Sequence, residues 1–317
     1  MKTVIVTIPE MILESDIEKI KAVSEVTYIE CNDVSEDSLA AIAQDAEVLM
    51  LNFDVVVNGC GSLSDGFWNR PELSTLKAVM FDMTGLDWAS PQAAGLKGIT
   101  LCNIPHYSSE SVAESTISEV LLHARQRHLA YVDEIKNRPI QARQGMNLKG
   151  RTIGVVGLGS IGAIVANLAR GLGMNVIGWN RSARPGVELV TLEELFRRSS
   201  VVAITLKTVR TGADSNVGIV GTQELANANG AIVVNLANAS LVDELAMAEA
   251  ITDGRVAGYS LDRNDVSILG PIGNLEAVHF APMNAWNSGE SMDALRETWV
   301  ENVIAFVVGK PQNLYSE

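Results

Sequence analysis

Gly157-Leu158-Gly159-Ser160-Ile161-Gly162 spaces three glycines as G-x-G-x-x-G. Glycines are common in turns, so the spacing alone says little. Here it directly follows the apolar run Ile153-Gly154-Val155-Val156 and opens a helical pattern carrying Ile164, Val165 and Leu168. Strand, glycine turn, helix is the order a dinucleotide-binding turn requires. Its chemistry needs glycine for the tight turn, for the approach of a pyrophosphate to backbone, and for close helix–strand packing. The helix N-terminus then offers free amides and a positive dipole end to the anion.

The next apolar run, Asn175–Trp179, would end in a carboxylate if NAD were preferred, because a carboxylate accepts hydrogen bonds from the ribose hydroxyls. It is followed instead by Asn180-Arg181-Ser182-Ala183-Arg184. The planar guanidinium fork suits a phosphate, so NADP(H) is expected over NAD(H). A solvated basic loop on an acidic protein is the plainer alternative.

Around this motif the chain alternates short apolar runs with helical patterns, which predicts parallel sheets covered by helices. Val4–Ile8, Val26–Ile29, Val48–Leu51, Leu76–Phe81 and Ile99–Cys102 read as strands in the first third. Asn58 to Gly66 reads as a loop. Ser15–Glu18 and Ser111–Glu114 read as capping boxes. After Arg138-Pro139 the alternation restarts with Thr152–Val156 and runs through Val201–Leu206, Ala231–Asn235, Val256–Leu261 and Val278–Ala281.

The length of 317 residues allows two domains, and 47% hydrophobic with 20% charged residues suits sizeable cores. A formal net charge of -14 repels phosphate backbones and anionic lipid, so neither nucleic acid nor a membrane is an expected partner. Cys31, Cys60 and Cys102 lie far apart without a CxxC pair, beside four histidines. That is neither a disulfide framework nor a metal-ligand pattern, and it fits a reducing compartment. The apolar start of the chain stops at Pro9, too short for a signal sequence, and the expected location is cytoplasmic.

From Leu73 to Trp286 the order of motifs resembles the D-isomer-specific 2-hydroxyacid dehydrogenase family. The matching segments are Thr84-Gly85-Leu86-Asp87, Val112-Ala113-Glu114, Leu148–Gly154, the glycine turn, Asn235–Glu244, Ala257–Asp262 and Ala281–Trp286. The resemblance implies an α/β architecture. A Rossmann-type doubly wound parallel sheet, residues 104–286, is inserted into a flavodoxin-like substrate domain of residues 1–103 and 287–317, with the active site in the cleft. It also implies a homodimer, with Val112–Arg151 as the joining arm. By position, Thr84 and Asp262 match residues at the nicotinamide end, and Ser160-Ile161 match residues at the pyrophosphate. Thr205, Leu206 and Lys207 with Leu236, Ala237 and Asn238 would line the nicotinamide pocket, with Met283 beside it. Asn52-Phe53-Asp54 is the candidate loop for holding a substrate carboxylate through backbone amides.

Three positions depart from the family pattern. Its carboxylate-gripping arginine is replaced by Asn238, and its proton-donating histidine by Met283. The glutamate that raises the histidine's pKa is replaced by Ser267, with Asp265 nearby. Asparagine cannot supply a bidentate charged grip, and methionine cannot transfer a proton. The expected enzyme therefore moves hydride to or from a small carbonyl or hydroxy substrate through a non-standard site. Asn238 would polarise the reacting oxygen, and His106 or Tyr107 would handle the proton. The other reading is a dinucleotide-binding sensor or scaffold that has lost the chemistry. His123, His128 and His279 are expected to be structural.

Overall fold

The computed structural model describes residues 1–139, 143–210, 212–262, 270–281 and 283–315. The chain forms two compact units, one of Met1–Tyr107 with Ser288–Glu317 and one of Ser108–Asn287.

The first unit begins β1 (Lys2–Thr7), α1 (Glu14–Lys21), β2 (Glu25–Glu30), α2 (Glu36–Ile42), β3 (Val48–Leu51) and α3 (Phe53–Gly59). It continues through β4 (Ala78–Phe81), α4 (Pro91–Leu96) and β5 (Thr100–Cys102). Its sheet runs β2-β1-β3-β4-β5, parallel throughout, which is the flavodoxin-like order. Strands buried on both faces alternate their side chains between two cores. Leu49, Leu51, Val79 and Phe81 join one, while Val48, Met50, Ala78 and Met80 join the other.

The second unit opens with α5 (Ser109–Ala124) and α6 (Arg127–Ile135), followed by β6 (Thr152–Val156), α7 (Ser160–Gly171) and β7 (Asn175–Trp179). Then come β8 (Glu188–Leu189), α8 (Leu192–Arg198), β9 (Val201–Ile204), α9 (Thr222–Leu225), β10 (Ala231–Asn235) and α10 (Glu244–Thr252). The strands β11 (Val256–Asp262) and β12 (Val278–Ala281) complete it. The order β12-β11-β10-β9-β6-β7-β8 is the doubly wound nucleotide-binding order with one strand added. Helices α5 and α7 cover one face, through Val120, Ala124, Val165 and Ala169. Helices α8, α9 and α10 cover the other, through Leu195, Phe196, Leu225 and Met247. The last helix, α11 (Gly289–Val307), returns to the first unit and buries Leu295, Trp299 and Val303 against its sheet.

Two expected capping boxes do not form. Helix α1 starts at Glu14, one residue ahead of Ser15, with Leu13 in the cap position and no side chain capping it. Helix α5 starts at Ser109, so Ser111 lies within its first turn. In both, acidic residues in the first turn favour the helix dipole, and the helix extends past the serine. Among the described residues no helix is long and apolar enough to cross a membrane.

Candidate dinucleotide and active site

Because every strand pairing in the second unit is parallel, the carboxyl ends of β6, β7 and β9–β12 share one edge of the sheet. Ligands of open α/β sheets bind at such an edge. The glycine turn sits where β6 ends. Gly157 has φ +96, a left-handed conformation glycine adopts at no steric cost. Its amide donates to the Trp179 carbonyl at 2.9 Å, and the Thr205 hydroxyl donates to its carbonyl at 2.6 Å. A Cβ on Gly162 would lie 1.9 Å from that same carbonyl oxygen, so α7 packs here only with glycine. Gly159 is different: a Cβ there would meet no heavy atom within 4 Å. The residue that must be glycine for packing and the residue that opens onto free space are separate. Free space above the N-terminus of a twelve-residue helix is what a pyrophosphate needs, so the turn fits a dinucleotide.

Asn180, at the end of β7, turns back onto this loop. Its Oδ1 accepts the Leu158 amide at 3.1 Å, and its Nδ2 donates to the Ser182 carbonyl at 2.8 Å. Arg181 lies 4.0 Å from Asp214, with both side chains exposed. The Arg184 guanidinium has no hydrogen-bond or ion-pair partner among the described residues. Leu206 packs against Gly157, and Lys207 is exposed.

At the end of β10, Leu236 is buried and Ala237 exposed, and the buried Asn235 ties the following turn together. Its Nδ2 donates to the Asn238 carbonyl at 2.9 Å, and its Oδ1 accepts the Ala237 amide at 3.2 Å. The Asn238 Oδ1 is taken by the amide of Ser240 at 3.0 Å and its hydroxyl at 2.7 Å. The Asn238 Nδ2 donor has no partner among the described residues. Asp262 ends β11 with its Oδ1 buried and without a hydrogen-bond partner, an acceptor suited to a carboxamide N–H. Burial pushes its carboxyl up to about 6, against the pull of the backbone amides at Ala285, Met283 and Asn284. Met283 follows β12 at φ +43 and is 47% exposed, with its carbonyl accepting the Trp286 indole N–H at 2.9 Å. Ser267 and Asp265 lie outside the described residues.

In the first unit, His106 is exposed at φ +65, and Tyr107 packs on the core that holds Trp299. The Thr84 hydroxyl donates to the Ile104 carbonyl at 3.0 Å. His106 and Tyr107 thus belong to one unit and Asn238, Asp262 and Met283 to the other. The expected loop of free amides at Asn52-Phe53-Asp54 is instead the start of α3. Asn52 caps that helix by accepting the Val55 amide at 3.2 Å, and the Phe53 amide donates to Asp82 at 2.8 Å. Asn52 also donates from Nδ2 to Asp82. Asp82 is 5% exposed, and burial pushes its carboxyl up to about 7 despite those donors. In the sequence only its charge, directly after the apolar run Ala78–Phe81, marks it.

A buried polar network was also missed. Ser260 donates to Glu119 Oε2 at 2.5 Å, and His279 Nδ1 meets the same oxygen at 2.7 Å. His123 Nε2 lies 2.8 Å from the Ser260 hydroxyl. That hydroxyl is already donating, so the imidazole carries its proton on Nε2. His123 packs edge-on to His128 at 4.4 Å. Burial first, and then the neighbouring His128, push His123 down to about 3. Burial pulls Glu119 up, yet hydrogen bonds from His279 and Ser260 outweigh it and hold the carboxyl below its usual range. A Cβ at Gly258 would fall 2.3 Å from the His123 ring, so that glycine makes the room. The legible signal was Glu119 and His123, four apart on the apolar face of α5.

Residues 118–278 match the D-isomer specific 2-hydroxyacid dehydrogenase, NAD binding domain. A glycerate dehydrogenase of Methylorubrum extorquens is 31% identical over 258 residues, covering 77% of this chain and 80% of that protein. A D-3-phosphoglycerate dehydrogenase of Mycobacterium tuberculosis is 28% identical over 323 residues, covering 98% of this chain and 58% of that longer protein. Among solved structures, an acyclic imino acid reductase in complex with NADPH and D-Arg superposes with a TM-score of 0.84 at 22% identity, over 100% of both chains.

Proposed function

The chain belongs to the D-isomer specific 2-hydroxyacid dehydrogenase family, a family of nicotinamide-dependent oxidoreductases, and from that premise we propose how it works. The unit of Ser108–Asn287 holds the dinucleotide, and the unit of Met1–Tyr107 with Ser288–Glu317 serves the substrate. The observation that carries the first assignment is the open face of Gly159 beside the close-packed Gly162.

The α7 N-terminus at Ser160 and Ile161 takes the pyrophosphate, and Asp262 Oδ1 takes the nicotinamide carboxamide. Arg181, Ser182 and Arg184 favour NADP(H) over NAD(H), with the unpartnered Arg184 guanidinium the strongest support. The bound nicotinamide supplies or receives hydride at its C4. Asn238 presents its unoccupied Nδ2 donor to an electronegative atom of a small substrate. For a carbonyl substrate, the proton falls to His106 or Tyr107 of the first unit. The exposed Leu121, Tyr131 and Ile135 of α5 and α6 support a homodimer joined through the nucleotide-binding unit.

The test is oxidation of NADPH and of NADH by the purified protein with 2-oxo acids, aldehydes, ketones and imines. A structural relative carries an imino acid reductase's name, which brings C=N compounds into that panel. Turnover of one class with cofactor consumption supports an enzyme. Tight cofactor binding without turnover of any class would favour the sensor reading.

A further inference from the structure

We propose that Asn302 of α11 and Asn103 are positioning residues, which together fix the backbone carrying His106 and Tyr107. The inference rests on the reading above, which gives the proton to those two side chains, and adds what holds them in place.

Asn302 is fully buried on α11, among the apolar Leu295, Trp299, Val300 and Val303 that pack this helix onto the first sheet. A carboxamide in such a place is costly unless its donor and its acceptor are both used. Both are used. Its Nδ2 donates to the Asn103 carbonyl at 2.9 Å, and its Oδ1 accepts the Asn313 Nδ2 at 2.8 Å. Asn313 sits at φ +51, a left-handed conformation that asparagine tolerates better than most residues. Its own carbonyl accepts the Asn103 amide at 3.1 Å. The buried side chain and the tail after α11 therefore converge on one residue, Asn103.

Asn103 follows β5 and opens the segment that runs through Ile104 and Pro105 to His106 and Tyr107. With its amide and its carbonyl already tied, its side chain adds a third tie, donating from Nδ2 to the Thr84 carbonyl at 2.7 Å. Ile104 continues the pattern. Its amide donates to the Met83 carbonyl at 3.2 Å, and its carbonyl accepts the Thr84 hydroxyl at 3.0 Å. Pro105 then has its φ fixed by its ring. His106 is thus entered from two residues with every backbone group bonded and a rigid third. It adopts φ +65, which a non-glycine residue keeps only where its surroundings impose it. All these contacts lie within the first unit. They matter for chemistry because a donor displaced by about 1 Å costs about 100-fold in rate.

The experiment compares kcat and KM of the full chain, with NADPH and the carbonyl compound that it turns over, for Asn302→Ala and Asn103→Ala. The second variant trims a partly exposed side chain and breaks only its Thr84 bond, so it tests the idea even where the first fails to fold. Each should lower kcat by about tenfold or more, with KM and the Kd for NADPH within about threefold of the parent. In a background of His106→Ala with Tyr107→Phe, the same substitutions should change kcat by less than about twofold. A side chain that acts through the donors has nothing left to place there. A second readout needs no turnover. The NMR signal of the His106 imidazole, identified by its loss in His106→Ala, should shift in both variants while those of His123, His128 and His279 stay. An unchanged kcat, an equal loss in both backgrounds, or an unmoved His106 signal would overturn the inference while leaving His106 and Tyr107 as donors. Full rate in the variant lacking both donors would overturn the donor reading and the inference with it.

Discussion

Replacing Gly159 by alanine separates the ligand from the fold. The new methyl group would meet no protein atom within 4 Å, and the backbone at φ -71, ψ -158 is open to any residue. Losing glycine's unfolded-state freedom stabilises by about 0.4–1 kcal/mol. Alanine's weaker capping at this helix start offsets a similar amount. The Tm of Gly159→Ala should therefore match the parent. Binding should not. The methyl group fills the space through which a pyrophosphate reaches the amides of α7, and one lost charge-assisted hydrogen bond costs about 1.5–3 kcal/mol. Fluorescence titration or calorimetry should then show NADPH binding weakened by about 10- to 150-fold. Gly162→Ala is the contrasting variant, because its Cβ would lie 1.9 Å from the Gly157 carbonyl. It should lose about 1–3 kcal/mol of stability together with binding. If Gly159→Ala binds NADPH within twofold of the parent, the pyrophosphate does not lie over this turn and the assignment of the site is wrong.

Exchanging Arg181 and Arg184 together for aspartate should lower the NADPH-to-NADH preference, read as the ratio of Kd values, by at least tenfold while NADH binding stays nearly constant. Glu119→Gln removes the charge that His279 and Ser260 share, and should cost about 1–3 kcal/mol in urea unfolding. His123 is held neutral, pushed down from 6.5 to about 3. A base depressed by folding stabilises above its unfolded pKa, so this contribution is complete at pH 7 and is lost as pH falls from about 6.5 towards 3. Urea unfolding at pH 7.5 and pH 4.5 should show that loss, and a His123→Phe variant a shallower one. Removing both donor candidates, as His106→Ala with Tyr107→Phe, should slow carbonyl reduction by about 100- to 10,000-fold while NADPH binding stays within twofold.

The sheets and the glycine turn were legible because their signals are local. Apolar runs bounded by polar turns marked every strand but the two-residue β8, and the context of Gly157–Gly162 marked the turn. The helix at Phe53–Gly59 was not, because the sequence cannot show that Asp82, about thirty residues away, accepts the Phe53 amide and leaves Asn52 free to cap. Asn180 shows a subtler limit. Its type suggested a missing ribose contact, while the structure spends its carbonyl on the Leu158 amide and so on the shape of the turn itself. The substitutions at Asn238 and Met283 were readable by position. Position does not show that Asn238 keeps one donor unoccupied while its acceptor is consumed by Ser240. The network from Glu119 to His123 joins α5 to β11 and β12 across more than a hundred residues, and pairings of that separation leave no local trace.

The central claim is hydride transfer at the carboxyl edge of the second sheet. Its most direct test is a single turnover with NADPH carrying deuterium at the transferring C4 position, using the C=O or C=N compound of that panel that the protein turns over. One deuterium should appear on the reacting carbon of the product, with loss of the label from the cofactor. Product without the label, or a labelled cofactor that binds and stays intact with every C=O and C=N compound offered, would contradict it.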